Sequence, residues 1–209
     1  MYIPNANKED RVPILHQFMQ DQPFASLITL GASGLFASHI PMVLEQNGSM
    51  GQLKCHISRA NTQWRDLIPT VQALAIFAGP QHYITPTWYP EKQETAKVVP
   101  TWNYVVVHAY GHLKVIQDQE WLRSHLASLT NQHEAGFPVP WKIEDAPSDY
   151  IASQIKGIIG LEMAIERLEG KWKVSQNRSE CDRAGVAEGL AELNTTESLR
   201  MKDLVERRD

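Results

Sequence analysis

Apolar residues recur along this chain with two periods, one near 3.6 residues and one near 2, and the switches between them mark out its elements. Ile14, Leu15 and Phe18 fall at helical spacing within residues 7–19, with Pro23 beyond, which predicts a helix. Strands are predicted over 25–30 and 35–44. Between them Gly31-Ala32-Ser33-Gly34 predicts a hairpin, because glycine takes the positive φ that a tight connection demands. Asn47-Gly48 marks a second turn before Gln52–Ser58, whose alternation puts Leu53, Cys55 and Ile57 on one face and His56 and Ser58 on the other. Asn61 can cap a short helix through Leu67 by accepting the amide of Gln63 or Trp64. Further strands are predicted over 73–77, around 82–85, and as one long run over 103–116, where Gly111 signals a bulge or bend rather than a break. Asp118 caps a helix carrying Trp121, Leu122, Leu126 and Leu129, and a Pro-rich connection covers 138–147. Ser148 opens a short helix, and 158–168 alternates as a strand. Ser179 and Asn194 are each expected to cap a C-terminal helix within 179–208, Glu197 completing a capping box with Asn194.

About six or seven strands, joined mostly by turns and flanked by helices, predict an α+β fold around an antiparallel barrel. A doubly wound sheet is disfavoured, since residues 25–58 leave no room for crossover helices. Without repeats or Gly/Ser linkers, residues 1–209 are expected to form one domain. Composition agrees: 209 residues, 43% hydrophobic and 21% charged, suffice for a core without staples. No apolar run approaches the roughly 20 residues of a membrane span. The first residues lack a basic and an apolar region of the secretory type, so a cytoplasmic chain is expected. Cys55 and Cys181 form no Cys-x-x-Cys pair, which argues against a zinc site or redox dithiol. The net charge of -4 confines any contact with nucleic acid to a local patch.

Three segments carry candidate chemistry. His56-Ile57-Ser58-Arg59-Ala60-Asn61-Thr62-Gln63-Trp64 ends a strand in a capped helix, and its amides, helix end and Arg59 cation could hold a phosphate or form a plain solvated strand end. Thr85-Pro86-Thr87-Trp88-Tyr89-Pro90-Glu91-Lys92 and Lys97-Val98-Val99-Pro100-Thr101-Trp102-Asn103-Tyr104 fence tryptophans with prolines, as walls for a planar ligand or as filling for a barrel end. Gly170-Lys171-Trp172-Lys173-Val174-Ser175-Gln176-Asn177-Arg178 has three cations and no acid, which suits an anion, a nucleic acid or a solvated loop. His108 and His112 lack the Glu of a zinc hydrolase motif, and no nucleophile elbow, phosphate loop or dinucleotide turn occurs. No catalytic residue and no metal site is assigned. Cys55 and His56 point to opposite faces of a strand, so Cys55 reads as a buried structural thiol.

Together with Met1-Tyr2-Ile3-Pro4, Ala37-Ser38-His39-Ile40-Pro41 and the Glu169 that precedes the third segment, these motifs make the chain resemble the PaiB-type family of FMN-binding negative transcriptional regulators over nearly its whole length. The resemblance implies the flavin-binding split barrel, hence an α+β, antiparallel split β-barrel with flanking helices. It also implies a homodimer with FMN at the subunit interface. His56, Ser58, Arg59 and Asn61 are then expected at the phosphate end, with the Arg59 guanidinium on the phosphate. Ser38, His39 and Pro41 would follow the ring edge, and Trp88, Tyr89, Lys92, Trp102 and Asn103 would close the pocket. Lys171, Trp172 and Ser175 are expected from the partner chain. Cys55 stands where the family pattern has Gly. A flavin-dependent oxidoreductase is the alternative, because the split barrel also hosts flavin reductases and pyridoxamine phosphate oxidases. A third reading makes 179–208 a DNA-binding helix-turn-helix, although Glu197, Asp203, Glu206 and Asp209 nearly cancel Arg200, Lys202, Arg207 and Arg208.

Overall fold

The computed structural model describes residues 1–207, so Arg208 and Asp209 of the third reading lie outside the described residues. In chain order the elements are β1 (Lys8–Glu9), α1 (Val12–Asp21), β2 (Phe24–Gly31), β3 (Gly34–Pro41), β4 (Val43–Glu45), β5 (Gln52–Ser58), α2 (Gln63–Asp66), β6 (Ala73–Ile84), α3 (Glu91–Thr95), β7 (Thr101–Gly111), β8 (Leu113–Ile116), α4 (Gln119–Glu134), α5 (Ser148–Lys156), β9 (Ile158–Ala164), β10 (Arg167–Lys173), α6 (Glu180–Leu193) and α7 (Thr196–Glu206). They fall into two compact units, each built from separated stretches of chain. One takes residues 1–15, 78–107 and 169 onward; the other takes 16–77 and 108–168.

In the second unit β2 and β3 form the expected hairpin, in register from Phe24 opposite Pro41 to Gly31 opposite Gly34. A four-stranded antiparallel sheet has the order β4-β5-β9-β8. Its core face carries Leu53, Cys55 and Ile57 from β5 with Ile159, Leu161 and Met163 from β9, all buried. Leu122 of α4 packs with Ile143, Ile151 and Ile155 in a second apolar cluster. In the first unit β1 pairs with β10, Lys8 opposite Lys171. There α6 and α7 run antiparallel, since Arg183 near the start of α6 donates from Nη2 to the Val205 carbonyl near the end of α7 (2.6 Å). That hairpin differs from the steep crossing of a helix-turn-helix. Lys202 on α7 is also neutralised locally by Glu206 at 2.8 Å.

The predicted caps form where side-chain chemistry decides them. Asp118 accepts the Trp121 amide (2.8 Å), Ser179 accepts that of Asp182 (3.2 Å) and Asn61 Oδ1 accepts that of Gln63 (2.9 Å). Asn194 does not open the last helix. It ends α6 in the left-handed conformation at φ 50°, and the capping box belongs to Thr195 and Ser198. Asparagine tolerates that backbone better than threonine, which explains the one-residue displacement.

Predicted strand limits miss wherever the chain changes sheets. Residues 35–44 split after Pro41, which has no N–H for a ladder, and the Met42 amide turns to the Pro23 carbonyl (2.9 Å) while β4 joins β5. The run 103–116 breaks at His112 instead of bulging, and β8 pairs with β9 from Leu113 opposite Met163. The run 158–168 likewise ends at Ala164 before a separate β10 begins, whereas one correction goes the other way: β6 continues unbroken through Gly79 and Pro80. The first helix starts only at Val12, because Lys8 and Glu9 are held in β1.

Candidate functional site

An open cleft of about 550 Å³ in the second unit is lined by Ser38, His39, Ile40 and Pro41 of β3, by His56, Ile57 and Ser58 at the end of β5, by Asn61, and by Gln154, Gly157 and Ile158. Ser38, His39, Ser58 and Asn61 are each oriented by a neighbour. Asn61 donates from Nδ2 to the Ser38 hydroxyl (3.0 Å) while its carbonyl caps the Gln63 amide. Ser58 Oγ accepts the Ala60 amide (3.2 Å), and His39 Nδ1 meets Ser26 Oγ (2.9 Å). Beneath them Gln63 is 1% exposed and donates to the Leu27 carbonyl (3.2 Å) and to Thr29 Oγ1 (3.1 Å), which fastens α2 to the hairpin.

His56 is tied to a residue that sequence reasoning missed. Its Nδ1 lies 3.1 Å from Nε2 of His125 on α4. Burial holds the His56 pKa below the ordinary imidazole range, and burial, helped by His56 and Lys54, pushes His125 down to about 3. Both rings are therefore neutral at pH 7. The available signal was the spacing of Trp121 and His125, which share a helix face at i, i+4.

Arg59 is placed differently from expectation. Its Nε donates to the Lys156 carbonyl (2.8 Å), Nη1 to Gln117 Oε1 (2.9 Å) and Nη2 to the Ile158 carbonyl (3.2 Å). The guanidinium thus braces the rim against α5 and β9 rather than reaching into the cleft. α2 spans only Gln63–Asp66, too short for an appreciable dipole, so the helix end adds little positive potential. Arg59→Ala is accordingly expected to destabilise the chain by about 1–3 kcal/mol by freeing these acceptors. Chemical denaturation of the variant measures this, and an unchanged midpoint would remove the bracing role.

The remaining expected residues belong to the first unit, and four of them are interior. Tyr89 is 1% exposed, with the Arg178 guanidinium 4.7 Å over its ring. Asn103 and Ser175 are buried and bonded to each other (2.9 Å). Lys171 is buried too, donating to the Tyr2 carbonyl (3.1 Å) beside the Tyr104 ring (5.1 Å). Segment 170–178 is therefore built into a strand and turn, not a solvated loop. The surface residues are Trp102, exposed, with Tyr83 edge-on at 6.1 Å, and Lys92. Trp88 is half-buried against α6, where a Cβ at Gly189 would stand 2.3 Å from its ring. Trp172 lines a groove of about 510 Å³ with Lys8, Glu9 and Arg11.

Cys55 lies on the core face, where burial raises its thiol to about 12, and it is not among the residues that line the cleft. His112 pairs with Glu166 (2.6 Å), and among the described residues no group of three or more His, Cys, Asp or Glu could hold a metal. Among those residues no helix is long and apolar enough to cross a membrane.

Residues 1–167 match the family described as "Putative FMN-binding domain", and the chain belongs to that family, whose cofactor is FMN. "Uncharacterized protein AN0679" of Emericella nidulans is 34% identical over 244 residues, covering 100% of this chain and 97% of the relative. The "Protease synthase and sporulation protein PAI 2" of Bacillus subtilis is 29% identical over 206 residues, covering 99% of this chain and 97% of the relative, so this is an FMN-binding, PaiB-like protein. The fold matches the FAD and heme binding protein from Mycobacterium smegmatis with a TM-score of 0.58 at 14% identity, over 80% of this chain and 73% of that one. The fold is α+β, an antiparallel split barrel with flanking helices.

Proposed function

We propose that FMN is held in the cleft of the second unit, in a cytoplasmic, PaiB-like negative regulator of transcription whose output follows flavin occupancy or redox state. The observation that carries this reading is that Ser38, His56, Ser58 and Asn61, four hydrogen-bonding side chains, line one open cleft beside Ile40, Pro41 and Ile57. That donor set suits a phosphate and a polyol, and the apolar flank suits a flat ring. When bound, FMN supplies hydride and electron transfer. The chain's residues bind and orient it: Asn61 and Ser58 at the phosphate, Ser38 and His56 beside them, His39 and Pro41 along the ring. The interior residues Tyr89, Asn103, Lys171 and Ser175 act by shaping the first unit.

The working form in this proposal is a homodimer, in which Trp102, Trp172, Trp88 and Lys92 of a second copy cover the cleft. Because neither unit is one continuous stretch, both are taken as parts of a single FMN-binding domain over the chain. Light scattering at micromolar concentration is expected to give twice the monomer mass, and a monomer would defeat the dimer.

The cleft itself is tested with two ligands. Asn61→Ala is expected to weaken FMN about 10- to 150-fold, the loss of a charge-assisted hydrogen bond of roughly 1.5–3 kcal/mol. Riboflavin, without the phosphate, is expected to bind wild type and variant within about 3-fold of each other. Equal losses for both ligands, or none, would remove Asn61 from the phosphate.

A further inference from the structure

Resting on the cleft as the FMN site, we infer that His125 is a positioning residue, which fixes His56 in the tautomer protonated on Nε2 and so makes it an uncharged hydrogen-bond donor to the phosphorylated ligand. The contact between His56 Nδ1 and His125 Nε2 needs one donor and one acceptor, and two neutral rings meet that need in only two ways. If His56 donates, the proton of His125 sits on His125 Nδ1. If His125 donates, His125 Nδ1 is a bare acceptor and the proton of His56 sits on Nε2. His125 is 3% exposed, and its Nδ1 makes no hydrogen bond among the described residues. The first arrangement would therefore bury an N–H with nothing to receive it, which proteins avoid more strictly than an unfilled acceptor. The second arrangement remains. His56 lines the cleft and its Nδ1 is taken, so Nε2–H is the donor it can offer.

The surroundings hold His125 in that role. Trp121, one turn earlier on α4, stacks on its ring with centroids 5.3 Å apart and planes 22° from parallel. The indole N–H of Trp121 is anchored on Glu162 (3.1 Å). Gly160 stands directly across from His56 in the β5–β9 ladder, and a Cβ there would come within 2.4 Å of the Trp121 ring. The glycine makes room for the indole, and the indole keeps the imidazole from turning. Lys54 beside the ring, paired with Glu45 at 2.7 Å, opposes a second ring proton. The free N–H of the pair is then carried by His56, which lines the cleft.

The test reads the tautomer directly and then its effect. Ring ¹⁵N shifts of histidine-labelled wild type at pH 7, without flavin, are expected to show His56 protonated at Nε2 and bare at Nδ1; a proton on Nδ1 overturns the inference whatever FMN does. His125→Leu removes the donor and is expected to give His56 mixed tautomers and FMN binding about 10-fold weaker. His125→Gln keeps an amide N–H at a similar reach and is expected to restore both readouts to within about 3-fold of wild type. In a His56→Ala background the His125 substitutions are expected to leave FMN affinity unchanged. If Asn61→Ala weakens FMN while His125→Leu does not, the positioning role fails and the cleft stands. If Asn61→Ala, His56→Ala and His125→Leu all leave FMN binding intact, the cleft reading fails and the inference falls with it. Should His125→Leu not fold, the wild-type shifts and the Gln variant still decide.

Discussion

Gly111→Ala is expected to lower the melting temperature by about 6–12 °C, corresponding to a loss of about 3 kcal/mol for a chain of this size. An added Cβ at position 111 would lie 2.1 Å from the Ala164 carbonyl oxygen and 2.9 Å from Met163 Cγ. The methionine can swing aside, but the carbonyl belongs to the end of β9 and cannot. Gly111 ends β7, and two residues later, at Leu113, the chain enters β8, which lies along β9, so the clash falls where the strand changes sheet. Gly34→Ala is the matched control: it meets nothing within 4 Å and suffers only the strain of φ +108°, about 1–3 kcal/mol. Thermal melts followed by circular dichroism would show the ordering, and a Gly111→Ala melt within 2 °C of wild type would mean the strand junction yields.

Acid is expected to destabilise the chain through His125, by about 2 kcal/mol between pH 7 and pH 5, or about 4–8 °C in melting temperature. The folded pKa of about 3 lies below the unfolded 6.5, so between those values the unfolded chain binds the extra proton. Stability from this group is whole above pH 6.5 and is lost as pH falls towards 3. His56, also held low by burial, acts in the same direction. His112 acts oppositely, its pKa raised by Glu166, but that pair is exposed and screened, so its contribution is small. His125→Gln has no such proton to take up and is expected to flatten the pH dependence. Parallel losses in wild type and variant would show that His125 is not the acid-sensitive group.

What could be read from the sequence was whatever a side chain decides with near neighbours. The alternation of β5, with Leu53, Cys55 and Ile57 inward, follows from a period of two, and the cap from Asn61 to Gln63 spans two residues. Family motifs then pointed to Ser38, His56, Ser58 and Asn61, which do line one cleft. Arg59 was legible as a charge, but not as a brace, because Lys156 and Ile158 reach it only through the β5–β9 ladder. Tyr89 and Asn103, expected to close the pocket, and Lys171 and Ser175, expected from a partner chain, were placed there by family motifs; their packing inside the first unit depends on Arg178, Tyr2 and each other, contacts made by residues distant in sequence. His125, separated from His56 by 69 residues, left no local trace except its place one turn from Trp121.

The interleaving of the two units sets an order of assembly as the chain is made. The last residue of the second unit is 168, so the hairpin, the four-stranded sheet and the whole cleft draw on nothing made after that residue. The first unit includes residues 1–15, yet it cannot close until β10, α6 and α7 exist. Synthesis at about 5–20 residues per second leaves roughly 2–8 s between those two moments. During that interval β1 has no β10 to pair with, although the residues of the cleft are already complete.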